Sequence, residues 1–460
     1  MQPASSQRTY DLVILGGGSG GYACALRAAQ LGLSVALVEE DKLGGTCLHR
    51  GCIPTKAMLH SAEVADSVRE SHRFGVRASL ESVDMPALHA YKDGVVARLY
   101  TGLQGLVRSA KVDLVQGTGS LRSATEVQVG DQVLTGRHLV LATGSYARTL
   151  PGLTLGRHIV TSDGAMRLEQ VPQRVVVLGG GVIGVEFASI FTSLGSQVTI
   201  VEALPRLVAG EDEAVSAQLQ RAFRKRGITT RTGVSLERAE EDDDGVSITL
   251  EGGESLRADL LLVAVGRGPR TEGVGLAEAG VHLERGFVTT DSRLHTSLPG
   301  VYAVGDIVPG LQLAHRGFTQ GIFVAEDIAG LQPAPIQESS IPRVTYCDPE
   351  IASVGLTLAQ AEQVYGSVSS YEYNLGGNGK SQILGTAGFV KLVRVDGGPV
   401  VGVHMVGSRV SEQVGEAQLI VGWEALPEDV ATYVHAHPTQ NEALGEAHLA
   451  LAGKPLHAHG

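Results

Sequence analysis

The chain has 460 residues, which at roughly 150 residues per domain predicts about three domains. Its composition, 43% hydrophobic and 19% charged, is typical of globular proteins that bury a core. The net charge of −12 argues against nucleic acid or an anionic membrane as the main partner, because both favour a basic surface.

No apolar run reaches the roughly 18 residues that a membrane helix needs. Met1–Arg8 are polar, whereas a secretory signal would need an apolar core there. We therefore expect a cytoplasmic protein with no membrane partner. In that reducing compartment the four cysteines do not predict structural disulfides, and a close pair is more typical of catalysis or metal binding. Cys24 and Cys347 are expected to be core thiols.

The first predicted elements are an apolar strand, the motif G-x-G-x-x-G, a helix and a second strand that ends at Glu39. In the motif, Gly16 permits the tight turn, Gly18 lets the backbone approach a pyrophosphate, and Gly21 allows helix and sheet to pack closely. The helix N-terminus offers N–H groups to the phosphates. We expect a dinucleotide to bind here, with Glu39 accepting hydrogen bonds from a ribose.

Cys47 and Cys52 follow directly, within the sequence GGTCLHRGCIPTK at residues 44–56. Residues five apart in a regular helix have Cα atoms about 8.5 Å apart, whereas a disulfide needs roughly 4.4–6.8 Å. If the two cysteines pair, the segment between them must be distorted, which Gly51 favours. A zinc site would need further ligands that are not evident, and two buried free thiols are the other alternative. Beside a dinucleotide motif we favour a redox-active pair.

A second copy of the strand, motif, helix and strand occupies residues 174–202. Gly179, Gly181 and Gly184 repeat the three glycine roles, and Glu202 repeats the acid at the end of the second strand. Two dinucleotide sites in one chain indicate electron transfer between FAD and a nicotinamide. Glu202 would repel a 2′-phosphate, so NAD is favoured over NADP; the alternative is an ordinary acid at a strand end.

After residue 341 the pattern changes to antiparallel strands, with helices near 411–426 and 438–451. The predicted fold is α/β, with two duplicated Rossmann-like domains and a C-terminal α+β domain. The predicted boundaries are 1–150 for the FAD-binding domain, completed by 276–341; 151–275 for the NAD-binding domain; and 342–460 for the C-terminal domain.

Two polar stretches are expected to have no role in chemistry. The acidic run Glu240–Asp244, followed by Gly245, predicts a solvated hairpin turn. His457 and His459 near the chain end suggest metal binding, but a frayed tail is the expectation we prefer. No metal site is predicted.

Six segments resemble the flavin disulfide reductase family, the class I pyridine nucleotide-disulfide oxidoreductases, and the resemblance runs along essentially the whole chain. The segments are residues 44–56, 142–145, 179–186, 265–269, 303–306 and 435–442. Within the family the chain looks most like the branch that oxidises protein-bound dihydrolipoamide with NAD⁺. The resemblance implies a homodimer in which 342–460 is the dimerisation domain.

The resemblance also implies roles for the residues around the cysteines. Cys47 looks like the interchange thiol that meets the substrate, and Cys52 looks like the thiol on the flavin side. Lys56 and Glu186 look like the family's ion pair near the flavin N5 and the nicotinamide.

His437 resembles the family's catalytic base, which Glu442 orients and which reaches the site from the partner subunit. The residues support this, because a carboxylate partner fixes the tautomer of a histidine and raises its basicity. Pro438 suits the first turn of a helix, with His437 just before it. His435 is the competitor, for which we expect a packing role.

The residues expected to bind the two cofactors come from both motifs and from later segments. For FAD they are Gly16, Gly18, Gly21, Glu39, Lys56, Gly144, Asp306 and Ala314; for NAD they are Gly179, Gly181, Gly184, Glu186, Glu202 and Gly266.

The implied function is oxidation of a lipoyl domain's dihydrolipoamide, on the acyltransferase component of a 2-oxo acid dehydrogenase complex. One alternative is an NAD(P)H-dependent reductase of a glutathione- or mycothiol-type disulfide, and another is a non-catalytic flavin-binding docking subunit. His49 and Arg50 stand where many members have Asn-Val. Their positive charge would lower the thiol pKa values if they face the cysteines; the alternative is that both point to solvent.

Overall fold

The computed structural model describes residues 9–457. The expectations about Met1–Arg8 and His459 therefore lie outside the described residues. The chain forms two compact units: the first takes in residues up to 58, 86–148 and 267–336, and the second takes in 59–85, 149–266 and the residues from 337 onward. The predicted domain boundaries stay a prediction. No helix within residues 9–457 has both the length and the apolar character needed to cross a membrane.

The strands of the described residues are β1 (Thr9–Leu15), β2 (Val35–Glu39), β3 (Asp113–Gln116), β4 (Gly119–Leu121), β5 (Glu126–Val129), β6 (Gln132–Leu141), β7 (Ser145–Ala147), β8 (Ile159–Thr161), β9 (Arg174–Leu178), β10 (Gln197–Glu202), β11 (Thr229–Thr232), β12 (Leu236–Asp242), β13 (Gly245–Leu250), β14 (Ser255–Ala258), β15 (Leu260–Val263), β16 (Arg267–Pro269), β17 (Leu283–Glu284), β18 (Phe287–Val288), β19 (Val301–Ala303), β20 (Arg343–Thr345), β21 (Glu350–Gly355), β22 (Val368–Asn374), β23 (Phe389–Val395) and β24 (Val400–Gly407).

The helices are α1 (Ser19–Gln30), α2 (Gly45–Arg50), α3 (Cys52–Glu70), α4 (Met85–Ser109), α5 (Ser162–Ala165), α6 (Val182–Leu194), α7 (Glu213–Lys225), α8 (Ala314–Ile328), α9 (Leu358–Tyr365), α10 (Gly379–Leu384), α11 (Val410–Gly422), α12 (Pro427–Val430) and α13 (Glu442–Leu451). Short 3₁₀ turns lie at Ser71–Phe74, Gly305–Ile307, Glu338–Ser340 and Leu375–Gly377.

The first unit is built on a sheet with the order β3-β2-β1-β6-β5-β4, in which β19 also pairs with β6. Strand β1 is parallel to β2 and to β6, and its side chains alternate between two cores. Leu12 and Ile14 pack with α1 and α8, whereas Val13 and Leu15 face the opposite core. Cys24 of α1 is fully buried in the first of these cores, which confirms that it is a core thiol.

The second unit contains a parallel sheet with the order β11-β10-β9-β15-β8 and an antiparallel sheet β12-β13-β14. Asp242 pairs with Gly245 across the β12–β13 hairpin, so the predicted turn in the acidic run is confirmed. The C-terminal part forms an antiparallel sheet, β20-β21-β24-β23-β22, whose core includes residues of α11 and α13. The predicted α/β fold with a duplicated Rossmann-like unit and a C-terminal α+β part is confirmed.

A buried ion pair joins α7 to the C-terminal sheet within the second unit. Lys391 Nζ of β23 lies 2.8 Å from Asp212 Oδ1, and the Asp212 side chain is 3% exposed. Asp212 also accepts the N–H of Ala214, which caps α7, and the N–H of Leu358 at the start of α9. Burial acts to raise the pKa of Asp212, but Lys391 and the Leu358 N–H outweigh it and hold the pKa below its usual value.

We expect Lys391→Met to lower the free energy of unfolding by about 3–5 kcal/mol, because it leaves the Asp212 carboxylate buried without a counter-ion. Arg231→Met is the control: its ion pair with Glu254 is exposed, so the expected loss is about 0–1 kcal/mol. Denaturant titration measures both. Since the folded pKa of Asp212 is lowered, this stabilisation is present above pH 3.8 and is lost as the pH falls further. Equal losses in the two variants would contradict the assignment.

Candidate active site

The first glycine-rich loop has the backbone that a dinucleotide phosphate requires. Gly16 has a φ of +108°, and a Cβ there would lie 2.3 Å from the Ala142 carbonyl oxygen. A Cβ on Gly21 would lie 1.8 Å from the Gly16 carbonyl oxygen, so only glycine permits this helix packing. A Cβ on Gly18 would meet no described atom within 4 Å. The loop therefore faces open space at the glycine expected to approach a pyrophosphate.

The second loop repeats this geometry in the second unit. Gly179 has a φ of +109°, and a Cβ on Gly184 would lie 1.9 Å from the Gly179 carbonyl oxygen. At Gly181 a Cβ would again meet no atom of the described chain within 4 Å. The duplication seen in the sequence is thus a duplication of backbone conformation, and both loops fit a dinucleotide.

The two acids at the strand ends are held by their own loops. Glu39 accepts the N–H of Gly17 at 2.8 Å, and its other oxygen accepts the N–H two residues further on, also at 2.8 Å. Glu202 accepts the N–H of Gly180 at 2.5 Å, and its other oxygen accepts the N–H of Leu204 at 2.7 Å. Both carboxylates are therefore oriented at the loop, where a ribose would lie.

Arg206 is the only cation between residues 203 and 212, where an NADP-binding site would place basic side chains. Its guanidinium donates to the carbonyl oxygens of Ala209 and Glu211 at 2.8 Å each and to Ser216 Oγ at 2.9 Å. These bonds hold the loop before α7, and they point the positive charge of Arg206 towards that loop. Arg206 therefore does not argue for NADP, which agrees with the preference for NAD based on Glu202.

The redox segment is broken between the two cysteines, as the spacing requires. Helix α2 ends before Gly51, whose φ of −146° and ψ of −112° are not helical, and α3 begins at Cys52. The side chains of Cys47 and Cys52 are hydrogen-bonded to each other. The hydrogen bond to Cys52 and burial raise the pKa of Cys47, whereas Lys56 acts to lower it.

The segment lies directly against the first glycine-rich loop. The N–H of Gly44 donates to the Gly17 carbonyl oxygen at 2.8 Å. A Cβ on Gly45 would lie 2.8 Å from the Gly18 Cα, so the two backbones are in close contact. No group of three or more His, Cys, Asp or Glu side chains within residues 9–457 is arranged to hold a metal ion. The geometry fits a thiol pair that exchanges electrons with a dinucleotide.

Tyr22 is a residue of this site that the sequence analysis missed. It lies on α1, and its ring packs on Phe318 with the centroids 5.5 Å apart. Burial, together with the neighbouring Cys47 and Cys52, raises the pKa of Tyr22 to about 12. Tyr22 is therefore a neutral phenol beside the thiol pair. Its position one residue after Gly21, the last glycine of the motif, is the sequence signal that could have identified it.

His49 and Arg50 do not supply the positive charge at the thiols. His49 Nε2 lies 2.8 Å from the Leu43 carbonyl oxygen, and the ring meets Tyr100 edge-on. Arg50 lies 3.7 Å from the Asp41 carboxylate. The cation that acts to lower the raised pKa of Cys47 is Lys56. His49 and Arg50, which differ from the family's usual residues, contact neighbouring groups instead.

Asp306 is anchored by two residues whose side chains were given no role above. Ser145 Oγ donates to Asp306 Oδ2 at 2.5 Å, and Arg267 Nε donates to Ser145 Oγ at 2.8 Å. Gly144 precedes Ser145 with a φ of +77°. Ala314 begins α8, and its assignment to FAD stays a prediction. The Asp306 carboxylate is therefore fixed in orientation before any ligand binds.

Lys56 and Glu186 lie in different units, and their ion pair stays a prediction. Glu186 is 2% exposed on α6 and accepts the N–H of Tyr346 at 2.9 Å. Gly266, the last glycine assigned to NAD, has a φ of +103° and no described atom within 4 Å of its Cβ position.

His437 and Glu442 form the expected pair, with Nδ1 and Oε1 2.8 Å apart. The other oxygen of Glu442 accepts the N–H of Thr439 at 2.8 Å. Burial acts to raise the pKa of Glu442, but the Thr439 N–H and His437 outweigh it and hold the pKa below its usual value. The His437 side chain is 75% exposed, so it can reach a group outside this chain.

The expectation that Pro438 opens a helix is wrong. Helix α13 begins at Glu442, and Thr439 and Glu442 bond each other reciprocally in the turn before it. His435 is engaged elsewhere: its Nε2 lies 2.9 Å from Glu416, which raises the pKa of His435. Its side chain is only 12% exposed, consistent with a packing role.

Two sequence families match the chain. Residues 10–321 match the family described as pyridine nucleotide-disulphide oxidoreductase, and residues 341–448 match the dimerisation domain of that family. Together the matches take in most of the chain.

Curated relatives and solved structures agree with these matches. Dihydrolipoyl dehydrogenase of Bacillus subtilis is 39% identical, with 97% of this chain and 99% of the relative covered. Dihydrolipoyl dehydrogenase of Thermus scotoductus is also 39% identical, over 98% of this chain and 99% of the relative. The crystal structure of LpdA from Mycobacterium tuberculosis superposes with a TM-score of 0.89 at 26% identity, covering 96% of this chain and 99% of that chain.

Proposed function

The chain belongs to the pyridine nucleotide-disulphide oxidoreductase family, and we propose that it oxidises protein-bound dihydrolipoamide to lipoamide while NAD⁺ is reduced to NADH. The relatives named dihydrolipoyl dehydrogenase, similar over nearly their whole length, support this substrate. FAD and NAD are the cofactors of the family. The balance is dihydrolipoamide and NAD⁺ on one side, and lipoamide, NADH and a proton on the other.

The observation that carries the proposal is the position of the cysteine pair. Cys47 and Cys52 are hydrogen-bonded to each other, and their segment touches the first dinucleotide loop through Gly45. The distorted backbone at Gly51 brings together two thiols that a regular helix would hold apart. A pair in such a place can alternate between disulfide and dithiol.

In the oxidised enzyme, Cys47 and Cys52 form the disulfide. His437 accepts the proton of one substrate thiol, and the resulting thiolate attacks Cys47 Sγ. The Cys47–Cys52 bond breaks, and its electron pair stays on Cys52 as a thiolate. The second substrate thiol then attacks the substrate sulfur of the mixed disulfide. The bond from that sulfur to Cys47 breaks, lipoamide is released, and Cys47 leaves as a thiol that takes up the proton of the second substrate thiol. Glu442 keeps His437 oriented during these proton transfers.

FAD, when bound, supplies the two-electron chemistry that links the dithiol to the nicotinamide. The residues that would hold FAD are Gly16, Gly18, Gly21, Glu39, Lys56, Gly144, Asp306 and Ala314; those that would hold NAD are Gly179, Gly181, Gly184, Glu186, Glu202 and Gly266. The loops orient the phosphates, the two strand-end acids bind ribose, and Ser145 and Arg267 keep Asp306 aligned.

The active protein is a homodimer in this proposal, and each site takes His437 from the partner. The match to a dimerisation domain supports it. Exposed apolar side chains support it further, because Trp423 is 76% exposed and Val434 is 97% exposed, three residues before His437. A second copy that covers this surface would remove apolar area from water and bring His437 to the other chain's cysteines.

The partner that presents the substrate is a lipoyl domain on the acyltransferase component of a 2-oxo acid dehydrogenase complex. We place the protein in the cytoplasm, where reducing conditions keep thiols free. Four cysteines in 460 residues, too few for a structural disulfide framework, fit that compartment.

The test is to compare steady-state rates with free dihydrolipoamide plus NAD⁺ against rates with NADPH plus glutathione disulfide or mycothiol disulfide. We expect kcat/KM with dihydrolipoamide and NAD⁺ to be at least about a hundredfold higher than with NADPH and either disulfide. The reason is that Glu202 disfavours a 2′-phosphate and that Arg206 is hydrogen-bonded within its own loop. A faster NADPH reaction would favour the low-molecular-weight disulfide alternative. Purified protein that holds FAD but turns over neither pair would favour the docking subunit.

A further inference from the structure

The carboxylate of Glu186 is held by a segment far away in the sequence. Tyr346 follows β20, and its N–H donates to Glu186 Oε1 at 2.9 Å. The next residue, Cys347, is 1% exposed, and its Sγ donates to the Pro349 carbonyl oxygen at 3.2 Å. The backbone from Tyr346 to Pro349 is thus packed against α6 at the residue assigned to the nicotinamide.

The same segment bonds α6 a second time. The N–H of Asp348 donates to Ser189 Oγ at 3.1 Å. Glu186 and Ser189 are three residues apart, so they lie on one face of the helix. The N–H groups of Tyr346 and Asp348 therefore bond the side chains of Glu186 and Ser189. These two bonds fix the position of the segment along α6.

Arg226, just after α7, secures the second of these bonds. It donates to Ser189 Oγ at 3.1 Å and to the Asp348 carbonyl oxygen at 2.9 Å. Its other nitrogen donates to Ser193 Oγ at 2.7 Å and to Asp66 at 3.1 Å. The side chain is only 17% exposed, so this guanidinium forms a rigid anchor between α6, the segment and α3.

We propose that Arg226 and Ser189 are positioning residues for the reaction: they hold the Tyr346–Asp348 segment so that the Tyr346 N–H fixes the Glu186 carboxylate at the nicotinamide site. The inference rests on the proposed function for the role of Glu186, but the anchor itself is a property of the second unit. Without the anchor the segment loses its register on α6, and the Glu186 carboxylate loses the Tyr346 N–H that orients it. The expected effect is weaker binding of NAD⁺, with no change in the binding of the dithiol substrate.

The experiment measures the NAD⁺ dissociation constant of the FAD-loaded dimer by calorimetry, without turnover. Arg226→Gln is expected to raise it about tenfold, because a misplacement on the ångström scale strongly weakens aligned contacts. Arg221→Gln is the matched control on α7, the helix that ends just before Arg226. The Arg221 guanidinium bonds only Gln218 among the described contacts, so a change below about twofold is expected. The KM for dihydrolipoamide should stay within about twofold of the wild-type value in both variants.

A double-mutant cycle separates positioning from a general loss of stability. If Arg226 acts through Glu186, then Arg226→Gln adds less than about twofold to the NAD⁺ dissociation constant in a Glu186→Gln background. An equal effect in both backgrounds would overturn the inference. Ser189→Ala repeats the test with a smaller change should Arg226→Gln fold poorly, and Arg226→Lys should recover part of the affinity. Wild-type protein that binds NAD⁺ but does not oxidise dihydrolipoamide would contradict only the proposed substrate.

Discussion

Serine at Cys47 or at Cys52 is expected to abolish dihydrolipoamide oxidation, with kcat lowered about 10⁴-fold or more, because residues that act as a unit cannot replace one another. In the proposed mechanism the disulfide is the electron acceptor for the substrate dithiol. A hydroxyl cannot form it, and the hydrogen-bonded pair seen at α2 and α3 would be left as one thiol. Steady-state assays with dihydrolipoamide and NAD⁺ measure the loss.

The two variants should differ in their spectra, which tests the assignment of each thiol. Anaerobic reduction of wild-type protein should produce a long-wavelength absorption band from the Cys52 thiolate beside the flavin. Cys47→Ser should keep the band, and Cys52→Ser should lose it. Cys24→Ala is the control, because that thiol is fully buried in the core of the first unit, and activity should stay within severalfold. A band retained in Cys52→Ser would show that the two roles are reversed.

Local rules predicted the parts of the site that lie close together in the sequence. Gly16, Gly21 and the break at Gly51 were predictable because steric clash and Cα spacing act over a few residues. The pairing of His437 with Glu442 came from the resemblance to the family and not from a local rule, and the structure places the two side chains 2.8 Å apart. The helix start at Pro438 was misplaced, since residues 438–441 form a turn in which Thr439 and Glu442 bond each other before α13 begins.

The contacts that tertiary packing creates were not predictable. Glu186 accepts a hydrogen bond from the N–H of Tyr346, 160 residues further along the chain. Every residue except proline has such an N–H, so the sequence does not indicate which one will donate. Arg206 illustrates the same limit: the sequence does not reveal what its charge contacts, and in the structure it donates to carbonyl oxygens of its own loop. Tyr22 was missed because its position on a helix does not reveal which neighbour its phenol faces.

His437→Gln is expected to lower kcat about 10²- to 10⁴-fold, the usual worth of a positioned general base. Glutamine can still occupy the space, but it cannot accept the substrate proton. Because the pKa of Glu442 is held below its usual value, that carboxylate stays ionised to orient the imidazole well below neutral pH. His435→Gln is the matched control two residues away, and its kcat should change by less than about tenfold. Loss of activity in that variant alone would assign the base to His435.

Mixing two inactive dimers tests whether His437 serves the partner's cysteines. In a heterodimer of Cys47→Ser and His437→Gln chains, one site combines intact cysteines of the His437→Gln chain with the intact His437 of its partner. Random exchange of equal amounts makes half of the dimers mixed, each with one of two sites intact, so about a quarter of wild-type activity should return. If each histidine served its own chain, every site would carry one defect and mixing would restore nothing. The 75% exposure of the His437 side chain, on a surface rich in exposed apolar residues, favours the first result.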